Sequence, residues 1–242
     1  MTGGARGIGY AVAAGCAAAG AAVAIIDKEP SECSRVQKEF EAGGYKCLGA
    51  AADISDVNMI EGVIADIAAK LGRIDVLINN AGAGGKEAPI FDITPGEWDH
   101  THNVNLKGLY FCSRAAAMQM KALGAGGRII NMASAAGILA PKYVSVYGAA
   151  KAAVIHLTKI MANEWARYGI NVNAMAPGFI VTDMTKNVMD DEKNAAAVLR
   201  KIGLRRFGEV EDVTGVALFL ATEASKYITG AVIPVDGGMT IG

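Results

Sequence analysis

The chain has 242 residues, a formal net charge of −1 and 52% apolar residues, which suits one α/β domain with a core of its own. No basic stripe or polybasic run points to nucleic acid or to a membrane surface, so the expected ligand is small and held in a pocket. The four cysteines (Cys16, Cys33, Cys47, Cys112) contain no CxxC pair and the three histidines no metal-like cluster, which argues against a metal site and fits a reduced cytoplasmic protein better than a disulfide-stapled one.

In chain order, a glycine-rich turn at 2–9 leads into a helix near 8–20. Residues 7–26 carry no charge and follow Arg6, the outline of an export signal. They are mostly Ala and Gly, however, and too poor in Leu, Ile and Phe to form an export core. Strand-like apolar runs follow at 22–26, 46–52, 74–78, 127–132, 170–176 and 231–235. Helices are expected between them, near 31–42, 56–71, 95–122, 145–168 and 212–222. This alternation predicts a doubly wound, Rossmann-type α/β/α domain over 1–242 with a parallel sheet. The strands are apolar throughout rather than alternating, which suits a sheet covered on both faces. The stretch 177–211 is the longest without a strand and predicts a substrate flap near 179–205.

Gly3, Gly7 and Gly9 let the backbone approach a pyrophosphate, and the helix starting around Ile8 adds N–H donors and a positive dipole end. Alone, such a turn is as often an ordinary tight turn. Here the next strand ends at Asp27, 18 residues after Gly9, where a carboxylate meets the adenosine ribose 2′-OH of a dinucleotide. Asp27 would repel a 2′-phosphate and favours NAD over NADP; Arg6, a basic residue in the turn, pulls the other way.

Tyr147 and Lys151 are four residues apart in a helical stretch and share a face. That pair arises readily by chance and carries weight only in company. Ser134 closes a strand thirteen residues earlier, and Asn105 lies in a helix after another strand. Free tyrosine, with a pKa of about 10, is a poor base at neutral pH. An adjacent ammonium and an oxidised nicotinamide favour its phenolate. Ser134 can hydrogen-bond a substrate oxygen beside Tyr147, Lys151 can also hold the nicotinamide ribose, and Asn105 can anchor a water that relays protons from Lys151 to solvent.

Taken together, TGGARGIG (2–9), Asp53-Ile54, NNAG (79–82), Asn105 in NVNLKG, Ser134, YGAAK (147–151), PGFIVT (177–182) and VDGG (235–238) resemble the short-chain dehydrogenase/reductase family over nearly the whole chain. The resemblance implies an alcohol/ketone oxidoreductase with Tyr147 as acid/base. It places Asp53 and Ile54 at the adenine, Asn80, Ala81 and Gly82 along the cofactor, and Pro177, Gly178, Ile180 and Thr182 at the nicotinamide carboxamide. Ala150 and Ala133 depart from common family residues without touching this chemistry. The segment 163–178 is similar to sugar-acid and polyol dehydrogenases and also to 3-oxoacyl-[acyl-carrier-protein] reductases; Asp27 tilts the choice to the former. A cofactor-binding protein without turnover is the rival reading, and the intact Asn105, Ser134, Tyr147 and Lys151 argue against it. Apolar residues beyond one core-facing stripe at 95–122 and 145–168 (Leu109, Phe111, Ile155, Leu157, Ile160), with the resemblance, predict a homotetramer or homodimer.

One departure is larger. The family pattern has a buried first strand of about six apolar residues before the glycine turn, and here Met1 directly precedes Thr2. Burying several Val, Ile or Leu contributes roughly 10 kcal/mol, comparable with a whole domain's stability. The expectation is a missing first strand, an open slot between the strands at 22–26 and 74–78, and unpaired ladder groups on both sides. Either the start is truncated, or the protein lacks the strand and is an inactive or poorly cofactor-binding fragment.

Overall fold

Each apolar run forms a strand and each longer segment a helix in the computed structural model, which describes residues 1–241. In order these are α1 (Gly7–Ala18), β1 (Val23–Asp27), α2 (Pro30–Ala42), β2 (Cys47–Ala51), α3 (Val57–Leu71), β3 (Val76–Asn79), α4 (Pro95–His102), α5 (Leu109–Leu123), β4 (Gly127–Met132), α6 (Ser145–Trp165), β5 (Ile170–Pro177), α7 (Lys186–Asp190), α8 (Glu192–Leu199), α9 (Val210–Ala221) and β6 (Val232–Val235). All strand pairs are parallel: β1 with β2, and β3, β4, β5 and β6 in that order.

The slot between β1 and β3 holds no strand, but it is filled at its C-terminal end, which corrects the expectation of an open slot there. Met1 and Thr2 run through it, and Thr2 bridges Ile26 on one side and Asn79 on the other. Ile26 N–H donates to the Met1 carbonyl at 2.8 Å, Gly3 N–H to Ile26 at 2.7 Å and Thr2 N–H to Ile78 at 3.0 Å. Two residues therefore pair the C-terminal ends of both neighbours, the ends that carry the site in an open α/β sheet.

Strand side chains alternate between two buried faces. Leu77, Ile129 and Val172 pack against α3, α5 and α6 through Ile64, Cys112, Met120 and Met161. Ile78, Ile130 and Met175 pack against α1 and α9 through Val12, Val213 and Leu220, while Ile25 meets Val36 and Phe40 of α2.

Two predicted elements differ in detail. The long helix expected at 95–122 is two helices joined by a π turn, Asn103–Gly108, an insertion of the kind that re-aims functional residues. A capping box between Thr94 and Glu97 starts α4. The flap carries α7 and α8 and is tied at its base by a bridge between Ile180 and Gly208.

Candidate active site

The glycine turn is built by close approach. A Cβ on Gly9 would lie 2.0 Å from the Gly3 carbonyl oxygen, and one on Gly3 2.7 Å from Ala81 Cα, so side chains there are excluded by backbone. The NNAG loop clasps the turn: Asn80 Nδ2 donates to the carbonyls of Thr2 at 3.2 Å and Gly3 at 2.9 Å. Thr2 Oγ1 accepts from Asn80 N–H at 3.0 Å and Ala81 N–H at 3.1 Å. Sequence reasoning missed this role of Thr2, which only the packing of the two loops creates. The N-terminus of α1 has no side-chain cap, with Arg6 at the capping position and exposed, and Ile8 in its first turn is half-buried. Its first N–H groups are thus free for an anion, and the cradle fits a dinucleotide pyrophosphate.

Around this cradle stand the other expected residues. Asp27, at the end of β1, accepts from Ala5 N–H of the turn at 3.4 Å. Asp53 is exposed, and the Ser55 N–H donating to it at 2.8 Å holds its carboxyl below the usual range. Ile54 is buried, its carbonyl packed against Gly108. Gly82 is exposed and lies beside Asn105 and Lys151, its Cβ position 3.0 Å from Asn105 Oδ1 and 3.7 Å from Lys151 Nζ. Pro177 ends β5, Gly178 packs on Asp236, and Ile180 is buried. Thr182 reaches back to the cradle, its Cγ2 3.6 Å from the Cβ position of Gly7, and its N–H donates to Thr185 Oγ1 at 3.1 Å.

Tyr147 and Lys151 lie on the first turns of α6. Lys151 is buried and donates to the Met132 carbonyl at 2.7 Å, with Nζ 5.7 Å from the centre of the Tyr147 ring. Burial lowers its pKa to about 8. Burial raises that of Tyr147, and the neighbouring Ser134 hydroxyl opposes the rise. Ser134 Oγ accepts from Ala136 N–H at 3.1 Å, which fixes the hydroxyl. Asn105 is buried in the π turn, and Ala83 holds its amide: Oδ1 accepts from N–H at 2.8 Å and Nδ2 donates to the carbonyl at 2.7 Å.

A buried polar chain behind the site was also missed. Thr158 Oγ1 donates to the Val154 carbonyl at 2.8 Å, so it accepts from Asn131 Nδ2 at 3.0 Å. Asn131 Oδ1 in turn accepts from Asn79 Nδ2 at 2.9 Å, and Asn79 also donates to Ser113 Oγ at 2.8 Å. Polar Asn131 inside the apolar run 127–132 was the available signal.

Comparison with known proteins agrees with this geometry. The family model described as Enoyl-(Acyl carrier protein) reductase matches residues 3–240. The chain is 36% identical to a gluconate 5-dehydrogenase of Gluconobacter oxydans, over 100% of this chain and 93% of that protein. It is 39% identical to a 3-oxoacyl-[acyl-carrier-protein] reductase of Synechocystis, over 100% and 96%. Among solved structures, a gluconate 5-dehydrogenase from Burkholderia cenocepacia in complex with NADP and tartrate superposes with a TM-score of 0.96 at 36% identity, covering 100% of this chain and 94% of that one. The chain belongs to the short-chain dehydrogenase/reductase family, nicotinamide-dependent oxidoreductases that act on CH–OH groups.

Proposed function

We propose that this oxidoreductase interconverts the secondary alcohol and ketone of a sugar acid, with NAD preferred and Tyr147 as the acid/base. The observation that carries the catalytic assignment is the meeting of Tyr147, Lys151 and Ser134 beside the glycine cradle. The bound nicotinamide supplies or accepts the hydride. Tyr147 gives its proton to the carbonyl oxygen in reduction and takes it from the alcohol in oxidation. Ser134 holds that oxygen against Tyr147. The Lys151 ammonium lowers the cost of the phenolate and, from its seat on Met132, reaches the nicotinamide ribose. Asn105, beside Lys151, anchors a water that links the Lys151 ammonium to solvent as a proton relay.

The sugar-acid reading draws on relatives named for gluconate and 2-dehydro-3-deoxy-D-gluconate oxidation at 36% and 38% identity. Relatives named as 3-oxoacyl-[acyl-carrier-protein] reductases at 39% identity support a second reading, a 3-oxoacyl thioester reductase. Asp27 favours NAD, since its carboxylate at the end of β1 repels a 2′-phosphate, although two solved relatives named as gluconate 5-dehydrogenases are described with NADP.

The test is a turnover screen of sugar acids, polyols and 3-oxoacyl thioesters with NAD(H) and NADP(H), run alongside Tyr147→Phe. The expected result is turnover of a sugar acid with NAD, cut at least about 100-fold by Tyr147→Phe with cofactor binding retained. Thioester turnover alone would establish the second reading, and near-normal rates in Tyr147→Phe would remove Tyr147 from the chemistry.

A further inference from the structure

We infer that Glu32 and Glu39 are specificity-determining residues for the cofactor: they occupy Arg35, the guanidinium seated on the glycine turn, and so withhold it from the 2′-phosphate that distinguishes NADP from NAD. The inference rests on the adenosine ribose lying at Asp27.

Residues 32, 35 and 39 are spaced three and four apart on α2 and share a face. Arg35 Nη2 donates to the Ala5 carbonyl at 2.9 Å. The N–H of the same residue donates to Asp27 at 3.4 Å. Ala5 is thus held at one end by a guanidinium and at the other by the carboxylate that meets the ribose. Asp27 and Arg35 are thus linked through a single residue. A guanidinium there would be a strong phosphate partner, because its planar fork matches phosphate oxygens in pairs.

In this chain the fork is taken. Nε and Nη2 donate to Glu32 Oε2 at 3.0 and 2.7 Å, and Nη1 donates to Glu39 Oε2 at 3.1 Å. With the Ala5 carbonyl, four of the five guanidinium N–H groups have acceptors. Glu39 is itself fixed from the other side by the Tyr10 hydroxyl of α1, whose ring packs edge-on against Phe40. The clamp therefore spans two helices and differs from an isolated surface pair. It also adds two carboxylates to the one at Asp27, all three on the rim that a 2′-phosphate would approach. Arg6 and Lys28 are exposed nearby and are the rival cations for a phosphate.

Dissociation constants of NADH and NADPH, measured by cofactor fluorescence on the full chain, test this without turnover. Glu32→Gln with Glu39→Gln should tighten NADPH about five-fold, the scale of one exposed ion pair, and leave NADH unchanged. The gain should shrink with added salt and vanish when Arg35→Met is added to the pair. Unchanged NADPH affinity would overturn the inference. So would a gain that survives Arg35→Met, which would assign it to Arg6, Lys28 or the general field. Asp27→Asn separates two failures. A response of either cofactor to Asp27→Asn with none to the glutamate pair defeats the inference alone; no response to any of these variants places the adenosine elsewhere and defeats both.

Discussion

Lys151 is the only buried charged side chain among the described residues, and its chemistry and its stability cost have one origin. Burial holds its folded pKa near 8 against an ordinary 10.5. At neutral pH the folded protein therefore carries an ammonium that the unfolded chain solvates better. As pH rises through 8 the folded state releases that proton first, so stability recovers between about pH 8 and 10.5. A shift of this size is worth roughly 3 kcal/mol, less the hydrogen bond to Met132. Lys151→Met should consequently melt higher than the parent at pH 7, by about 5 °C, with the gap closing toward pH 10, while turnover and cofactor affinity fall. Thermal melts of both proteins from pH 6 to 10.5 check this. A lower melting temperature for the variant at pH 7 would show that the Met132 contact outweighs the buried charge. Tyr147 is tuned the other way, since burial keeps its proton on in the absence of cofactor. In the proposed mechanism its phenolate therefore needs the positive charge of an oxidised nicotinamide beside the Lys151 ammonium.

At the level of elements, the glycine turn and α1 act as one piece with the NNAG loop after β3. The Gly9 hydrogen faces the Gly3 carbonyl so closely that a methyl group cannot enter without moving backbone. Gly9→Ala should cost about 1–3 kcal/mol of stability and abolish measurable NADH binding, because the shift displaces the N-terminus of α1. Gly62→Ala is the matched control. It lies inside α3 with nothing within 4 Å of its Cβ position, and should stabilise by about 0.5–1 kcal/mol with binding intact. Melting curves and cofactor fluorescence of the two variants distinguish steric exclusion from ordinary helix propensity. The π turn does comparable work for Asn105: one long helix would have run from 95 to 122, but the insertion places the Asn105 amide on Ala83 beside Gly82.

For the whole molecule, α5 and α6 present a face larger than one chain covers. Leu109 proves to be core, while Phe111, Ile155 and Leu157 are half-buried against it. Tyr110, Met118 and Ile160 remain exposed on these two helices, and a cavity of about 450 Å³ lined by Met118, Trp165 and Tyr168 opens at their far ends. We propose a two-fold symmetric homodimer or homotetramer built on this face. Light scattering at micromolar concentration should report at least twice the chain mass, and Ile160→Glu, which buries a charge in the interface, should shift it toward monomer. A monomeric parent would refute the assembly.

The sequence by itself determined the order of the six strands and of the main helices, though not the π turn or the helices at 186–199, because apolar periodicity marks each strand run and helical stretch. It also singled out the glycine turn and the set Ser134, Tyr147 and Lys151, which the fold brings together, since each is recognised by residue type at short spacing. The first-strand position was misread in part: no strand forms there, as the pattern said, but Met1 and Thr2 pair both flanking strands at their C-terminal ends. Thr2, the Asn79–Asn131–Thr158 chain and the seat of Arg35 on Ala5 were also out of reach, because their partners lie far apart in sequence. A hydrogen bond needs atoms about 3 Å apart in a fixed direction, and only the tertiary packing of helices on the sheet decides which distant side chains meet at that distance.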